Sequence, residues 1–113
     1  MFRHQTFRKL ALSFAETSEG QHHDVISFKV KGKIFATLNP PFHRACVRLN
    51  PVDQDVFCAF DPDVMYRVPN AWGKYGWTNI NLKNIRKEML EDAIRSAYCT
   101  VAPPKLAGKY KQE

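Results

Sequence analysis

The sequence predicts an α+β domain in two layers, an antiparallel sheet with helices over one of its faces. Three observations carry that reading. Apolar and polar residues alternate in short runs, the period of half-buried strands. Longer runs near the two ends of the chain repeat at helical spacing instead. Short turns separate most of the strand runs, so consecutive strands should pair antiparallel.

The elements follow in order. Phe7, Leu10, Ala11 and Phe14 form one stripe of a helix over about residues 3–16, stopped by Thr17-Ser18-Glu19-Gly20. Ile26, Phe28 and Val30 alternate with Ser27, Lys29 and Lys31, giving a first strand. Lys31-Gly32 makes the tight turn, since Gly adopts the positive φ of a two-residue hairpin. Ile34, Ala36 and Leu38 form the inward face of the returning strand. Asn39-Pro40-Pro41-Phe42-His43 breaks it, because neither proline has a backbone N–H. Ala45, Val47 and Leu49 supply a third strand.

Asn50-Pro51 then starts a short helix, with Asn as N-cap, Pro at the first helical position and Asp53 near the positive end of its dipole. Val52, Val56, Phe57 and Phe60 are expected on its buried side, and Asp61-Pro62-Asp63 ends it. Residues 64–68 read as a fourth strand and 77–82 as a fifth. A last helix over about 84–101 carries Ile85, Met89, Leu90, Ala93, Ile94, Ala97, Tyr98 and Val101 before Pro103-Pro104. The expected order is α-β-β-β-α-β-β-α, in one domain over 1–104 with a basic, frayed tail at 105–113.

Composition narrows the function classes. With 113 residues, 44% of them hydrophobic, the chain can bury one core and is not a disordered segment. No apolar run approaches the roughly 18 residues of a membrane span, and the first residues lack a signal peptide's apolar stretch, so a cytoplasmic protein is expected. Cys46, Cys58 and Cys99 are widely spaced, without a C-x-x-C pair, and read as packed thiols. Seventeen Lys and Arg against eleven Asp and Glu leave a charge of +6, compatible with an anionic partner.

Two stretches resemble a known family. Lys31-Gly32-Lys33-Ile34-Phe35-Ala36-Thr37-Leu38 and Trp72-Gly73-Lys74, with Gly76-Trp77-Thr78, are similar to the MmcQ/YjbR-like pattern. Ala11–Thr17, His22, Ser27-Phe28, Val68-Pro69, Ala102-Pro103 and Lys105 add to the match, with Ala15 standing where that family usually has proline. The resemblance implies a CyaY-like fold, sometimes described as a double-wing DNA-binding arrangement. It implies no defined reaction.

Alternation gives the site its candidates. If the residues named above as inward face the helices, the far side carries Lys29, Lys33, Phe35, Thr37, Arg48, Arg67, Trp77 and Asn79. A basic face with interleaved rings lets phosphates pair with cations while bases stack. Lys31 at one hairpin tip and Lys74 at the other are candidate wings gripping phosphates. The nucleic-acid candidates are thus Lys29, Lys31, Lys33, Arg48, Arg67 and Lys74, with Phe35 and Trp77 as stacking or interface residues. Trp72 is expected as a mostly buried anchor of its loop. The alternative is that Phe35 and Trp77 pack across strands, or that a protein partner, a small ligand or a second copy covers the same face.

No metal or cofactor is expected. His22 and His23 on an extended segment would point to opposite faces, and the helix over 3–16 carries Arg3, Arg8 and Lys9 against Glu16, unlike the acidic helix that iron handling would use. Nucleotide-loop, H-E-x-x-H and G-x-S-x-G motifs are missing, and no constellation supports an enzyme.

Overall fold

The computed structural model describes residues 4–110. The elements are α1 (His4–Leu12), β1 (Thr17–His22), β2 (Val25–Val30), β3 (Lys33–Asn39), a 3-10 turn (Pro40–Phe42), β4 (Arg44–Arg48), α2 (Pro51–Phe60), β5 (Met65–Arg67), α3 (Ala71–Lys74), β6 (Trp77–Asn81), α4 (Lys87–Val101) and α5 (Pro104–Ala107). Six strands form one sheet in the order β1-β2-β3-β4-β6-β5, every neighbouring pair antiparallel. Helices α1 and α4 pack on one face of it.

The two-layer α+β class is as expected, but the element order is not. Strand β1 is an addition at the sheet edge, and α3 and α5 are additions among the helices. Past Thr17 every residue of β1 is exposed, so the strand has no apolar alternation to announce it. It is held by backbone pairing to β2 and by an Arg8–Glu19 ion pair at 2.7 Å from α1.

The core forms where the paired rows face the helices. Ile26, Leu38, Ala45, Ile80 and Met65 make one cross-strand row, and Phe28, Ala36, Val47, Thr78 and Arg67 the next. Between Phe28 and Lys29 the register slips: Phe28 lies opposite Ala36, but Lys29 lies opposite Ile34. Phe35 is the extra residue of a β-bulge, which lets two successive residues turn inward. Phe35 and Ala36 are both fully buried, while Ile34 is 36% exposed. Strict alternation places these two the other way round. The bulge corrects it, moving Phe35 into the core and Ile34 onto the open face.

Phe35 meets the Tyr98 ring edge-on at 5.6 Å between centroids. Phe14 stacks on Tyr98 at 4.7 Å, and Tyr110 meets both rings edge-on. Two hydroxyls clamp the backbone where α1 ends: Tyr98 donates to the Ala15 carbonyl at 2.7 Å, and the Ala15 N–H donates to the Tyr110 hydroxyl at 3.0 Å. A proline at 15 would lack that donor. Burial, with Tyr110 next to it, raises the Tyr98 pKa and keeps its phenol protonated. Leu106 and Ala107 are buried beside this cluster, so the segment read as a frayed tail from 105 is packed at least as far as Tyr110.

Helix α2 is a second correction. Its Asn50 cap is as expected, accepting from the Asp53 N–H at 2.8 Å. Its buried residue, however, is Gln54, while Val52, Val56 and Phe60 face solvent. The Gln54 amide donates to the Gly73 carbonyl at 3.0 Å and to Thr78 Oγ1 at 3.1 Å, and its Oε1 accepts from Arg67 Nε at 3.1 Å. These polar bonds, together with the partly buried Phe57 that packs against the core, orient this helix.

The bulge makes unequal neighbours of Ile34 and Phe35. Phe35→Ala is expected to cost about 3–5 kcal/mol, as for a fully buried ring. Ile34→Ala should cost less, about 1–2 kcal/mol, because Ile34 is already 36% exposed. Urea midpoints of the two variants check the order, which alternation without a bulge would reverse.

Candidate functional site on the open sheet face

The sheet face away from α1 and α4 carries the other cross-strand rows. Ser27, Thr37, Cys46, Asn79 and Tyr66 form one. Lys29 with Ile34, and Arg48 with Trp77, form the next.

The loop from β5 to β6 shapes the middle of this face. Asn70 opens α3 by accepting from the Trp72 N–H at 2.9 Å. A Cβ on Gly73 would lie 2.2 Å from the Val68 carbonyl oxygen, so only glycine lets α3 fold back on the strand it leaves. Gly76 has φ +100, and its Cβ would lie 2.0 Å from the Leu49 oxygen. In return the Leu49 N–H donates to the Gly76 carbonyl at 2.9 Å, tying the loop to the end of β4. Trp72 is thereby 61% exposed, not the buried anchor expected of it. With Trp77, Ile34, Thr37, Cys46 and Val68 it lines a shallow depression of about 320 Å³.

The candidate residues divide between the two faces. Lys29 is exposed beside Ile34. Arg48 lies across from Trp77 and donates from Nε to the Tyr75 carbonyl at 3.2 Å. Lys74 is exposed at the end of α3 and lines a different cleft, with Gln54 and Arg67, so only Lys29 and Arg48 lie across from residues of the depression. Phe35 does not join them: a fully buried ring has no face to offer a base. Lys33 pairs with Val30, a consequence of the same bulge, and lines a cleft with Thr100 and Val101 of α4 that Arg48 and Tyr75 line as well. Arg67 lies on the helix side, opposite Thr78, where it bonds Gln54 and pairs with Asp55.

Lys31 sits in the β2–β3 turn with φ 51 next to Gly32 at φ 79, and forms an ion pair with Glu16 at 2.5 Å. The second wing is not a hairpin tip. It is helix α3 followed by the Tyr75-Gly76 turn. Sequence reasoning missed Ile34, Cys46, Tyr66 and Val68 on this face. Three apolar residues in succession at 34–36 were the signal that a bulge could lie there.

Burial pushes the Cys46 thiol up to about 11, so it lines the depression as a small apolar group. His22 and His23 do touch, ring centroids 4.3 Å apart, because His23 turns the chain with φ 57. His4 and His43 stack, with Nε2 and Nδ1 3.1 Å apart; burial and the neighbouring ring hold the His4 pKa below the usual value. Among the described residues no group of three or more His, Cys, Asp or Glu could hold a metal ion. Among them, too, no helix is long and apolar enough to cross a membrane.

A family model described as YjbR matches residues 12–100. The chain belongs to the YjbR family. The crystal structure of the Deinococcus radiodurans protein DR2400, with the family-model domain DUF419, shares the fold at a TM-score of 0.71 and 17% identity. That similarity covers 85% of this YjbR-family chain and 75% of the other. No curated protein matches it.

Two outcomes follow from the site's geometry. Gly76→Ala should cost about 2–4 kcal/mol, combining a strained φ with a backbone clash, read as a drop in the denaturation midpoint. Alkylation at Cys46, followed residue by residue by mass spectrometry, should be slow at neutral pH and climb with pH until about 11.

Proposed function

We propose that this YjbR-family chain is a small binding module that takes a DNA strand on its open sheet face. Bases stack on the two tryptophans, and phosphates meet Arg48 and Lys29. The observation that carries the reading is the depression in which Trp72 and Trp77 stand together, with Lys29 across from its Ile34 and Arg48 across from its Trp77. Stacking contributes about 1–3 kcal/mol per base and needs the ring face of an unpaired base. The cations contribute without regard to sequence, through counterion release. Single strands should therefore bind better than duplex, whose bases are already stacked.

A second reading, an apolar ligand or protein segment in the same depression, is favoured by its lining. Ile34, Thr37, Cys46, Val68, Trp72 and Trp77 include no charged side chain. Salt separates the two.

Fluorescence anisotropy of labelled single-stranded and duplex DNA across a salt series tests the proposal. Each phosphate contact on a single strand should add a log-log slope of about −0.7, and Arg48→Ala should remove about one such contact. Trp72→Ala should weaken binding by about 1–3 kcal/mol with the slope unchanged. Absence of binding at low salt would end the DNA reading and leave the apolar one.

A further inference from the structure

Where β4 runs into α2, two cations from different strands meet. The bulge sets Lys33 opposite the buried Val30 at the start of β3, and Arg48 holds the last position of β4. Both line one cleft of about 400 Å³, together with Tyr75 and Thr100. Leu49, Pro51 and Val101 give it apolar walls, and none of its lining residues is acidic. Among the described residues neither cation takes part in an ion pair. The Arg48 Nε donates to the Tyr75 carbonyl at 3.2 Å, which fixes the guanidinium and leaves its terminal nitrogens for a ligand. Two like charges sharing a concavity without a counter-charge repel each other, and an anion between them removes that repulsion.

We propose that this cleft binds a small aromatic phosphomonoester of the nucleoside monophosphate kind. Its phosphate sits between Lys33 and Arg48, the guanidinium fork matching two phosphate oxygens. Its ring lies on Tyr75, which is 64% exposed at the side of the cleft. A neighbouring cleft of about 380 Å³ shares the Asn50 and Thr100 walls and adds Asp53 and Arg95. Arg95 there is already paired with Asp92, so the charge left over is the Asp53 carboxylate, which accepts from Asn50 Nδ2 at 2.9 Å. That carboxylate disfavours a second phosphate and suits the hydroxyls of a sugar, which can donate to it. The charge pattern therefore fits one phosphate rather than a chain of them. Neither Trp72 nor Trp77 lines this cleft. Arg48 is shared with the DNA reading, so the proposal is decided at Lys33 and Tyr75, which that reading does not use.

Isothermal titration calorimetry of the full chain with AMP, adenosine and inorganic phosphate, at low salt, tests the proposal. AMP should bind one per chain and more tightly than adenosine or phosphate. Lys33→Ala should weaken AMP and phosphate alike, by about tenfold. Tyr75→Ala should weaken AMP by about fivefold or more and leave phosphate unchanged. Both side chains are exposed, so circular dichroism should show either variant folded. Lys83→Ala removes an equal charge beyond the far end of β6, past the Asn81–Arg44 pair, and should change neither affinity. No AMP binding at millimolar ligand overturns the proposal, as does an affinity indifferent to Lys33→Ala or lowered as much by Lys83→Ala. AMP binding indifferent to Tyr75→Ala overturns the place given to the ring. Loss of the AMP site leaves the DNA reading standing on its own tryptophans.

Discussion

The single extra residue in β3 is the constraint on which most of the molecule depends. With Phe28 opposite Ala36 and Lys29 opposite Ile34, Phe35 has no cross-strand partner and turns toward α4. There its ring meets Tyr98, the hub of the cluster that also holds Phe14 and Tyr110. That cluster ties together the end of α1, the last turn of α4 and the chain after α5. The same displacement sends Ile34 to the open face, where its aliphatic surface completes the depression around the tryptophans. One bulge thus supplies the core with a ring and the candidate site with a wall.

Gln54 is a comparable organiser in polar form. The Gly73 carbonyl, in α3, accepts from the Gly76 N–H at 3.2 Å and can take a second donor on the side of α2. The Gln54 amide meets it and Thr78 together, while Arg67 satisfies the amide oxygen. Thr78 in turn donates to the Gly76 carbonyl at 3.1 Å, closing the network over the glycine that shapes the loop. Because this network and the half-buried Phe57 hold α2, its valines and Phe60 are free to face outward.

The class of the fold was legible because Phe28, Val30, Ala45, Val47 and the α4 stripe follow their periods without interruption. The Asn50 cap and the Lys31-Gly32 turn were legible for a similar reason, each resting on chemistry confined to a few residues. What failed had non-local causes. A bulge leaves the composition of its strand unchanged, so Ile34 and Phe35 were assigned to the wrong faces and Lys33 with them. Arg67 is drawn to the helix side by a strand register set with β6 and by groups on α2, none adjacent in sequence. In α2 the apolar residues looked like a core stripe because most amphipathic helices are held by such stripes. Of the candidate site, Trp77, Arg48 and Lys29 were placed by alternation alone. Exposure of Trp72 needed the two close glycine contacts that only the folded loop displays.

Strand β1 leaves one further property with the molecule. A strand with an apolar face is locked in register, since a slip of one residue would carry that face into water. Thr17–His22 has no such face, so its alignment with β2 rests on the two-residue His23-Asp24 turn, the backbone ladder and the Arg8–Glu19 pair. Insertions or deletions in this hairpin would shift the strand without dragging core side chains along. The first hairpin is therefore the part of the sheet whose length can drift between relatives while the interior keeps its packing.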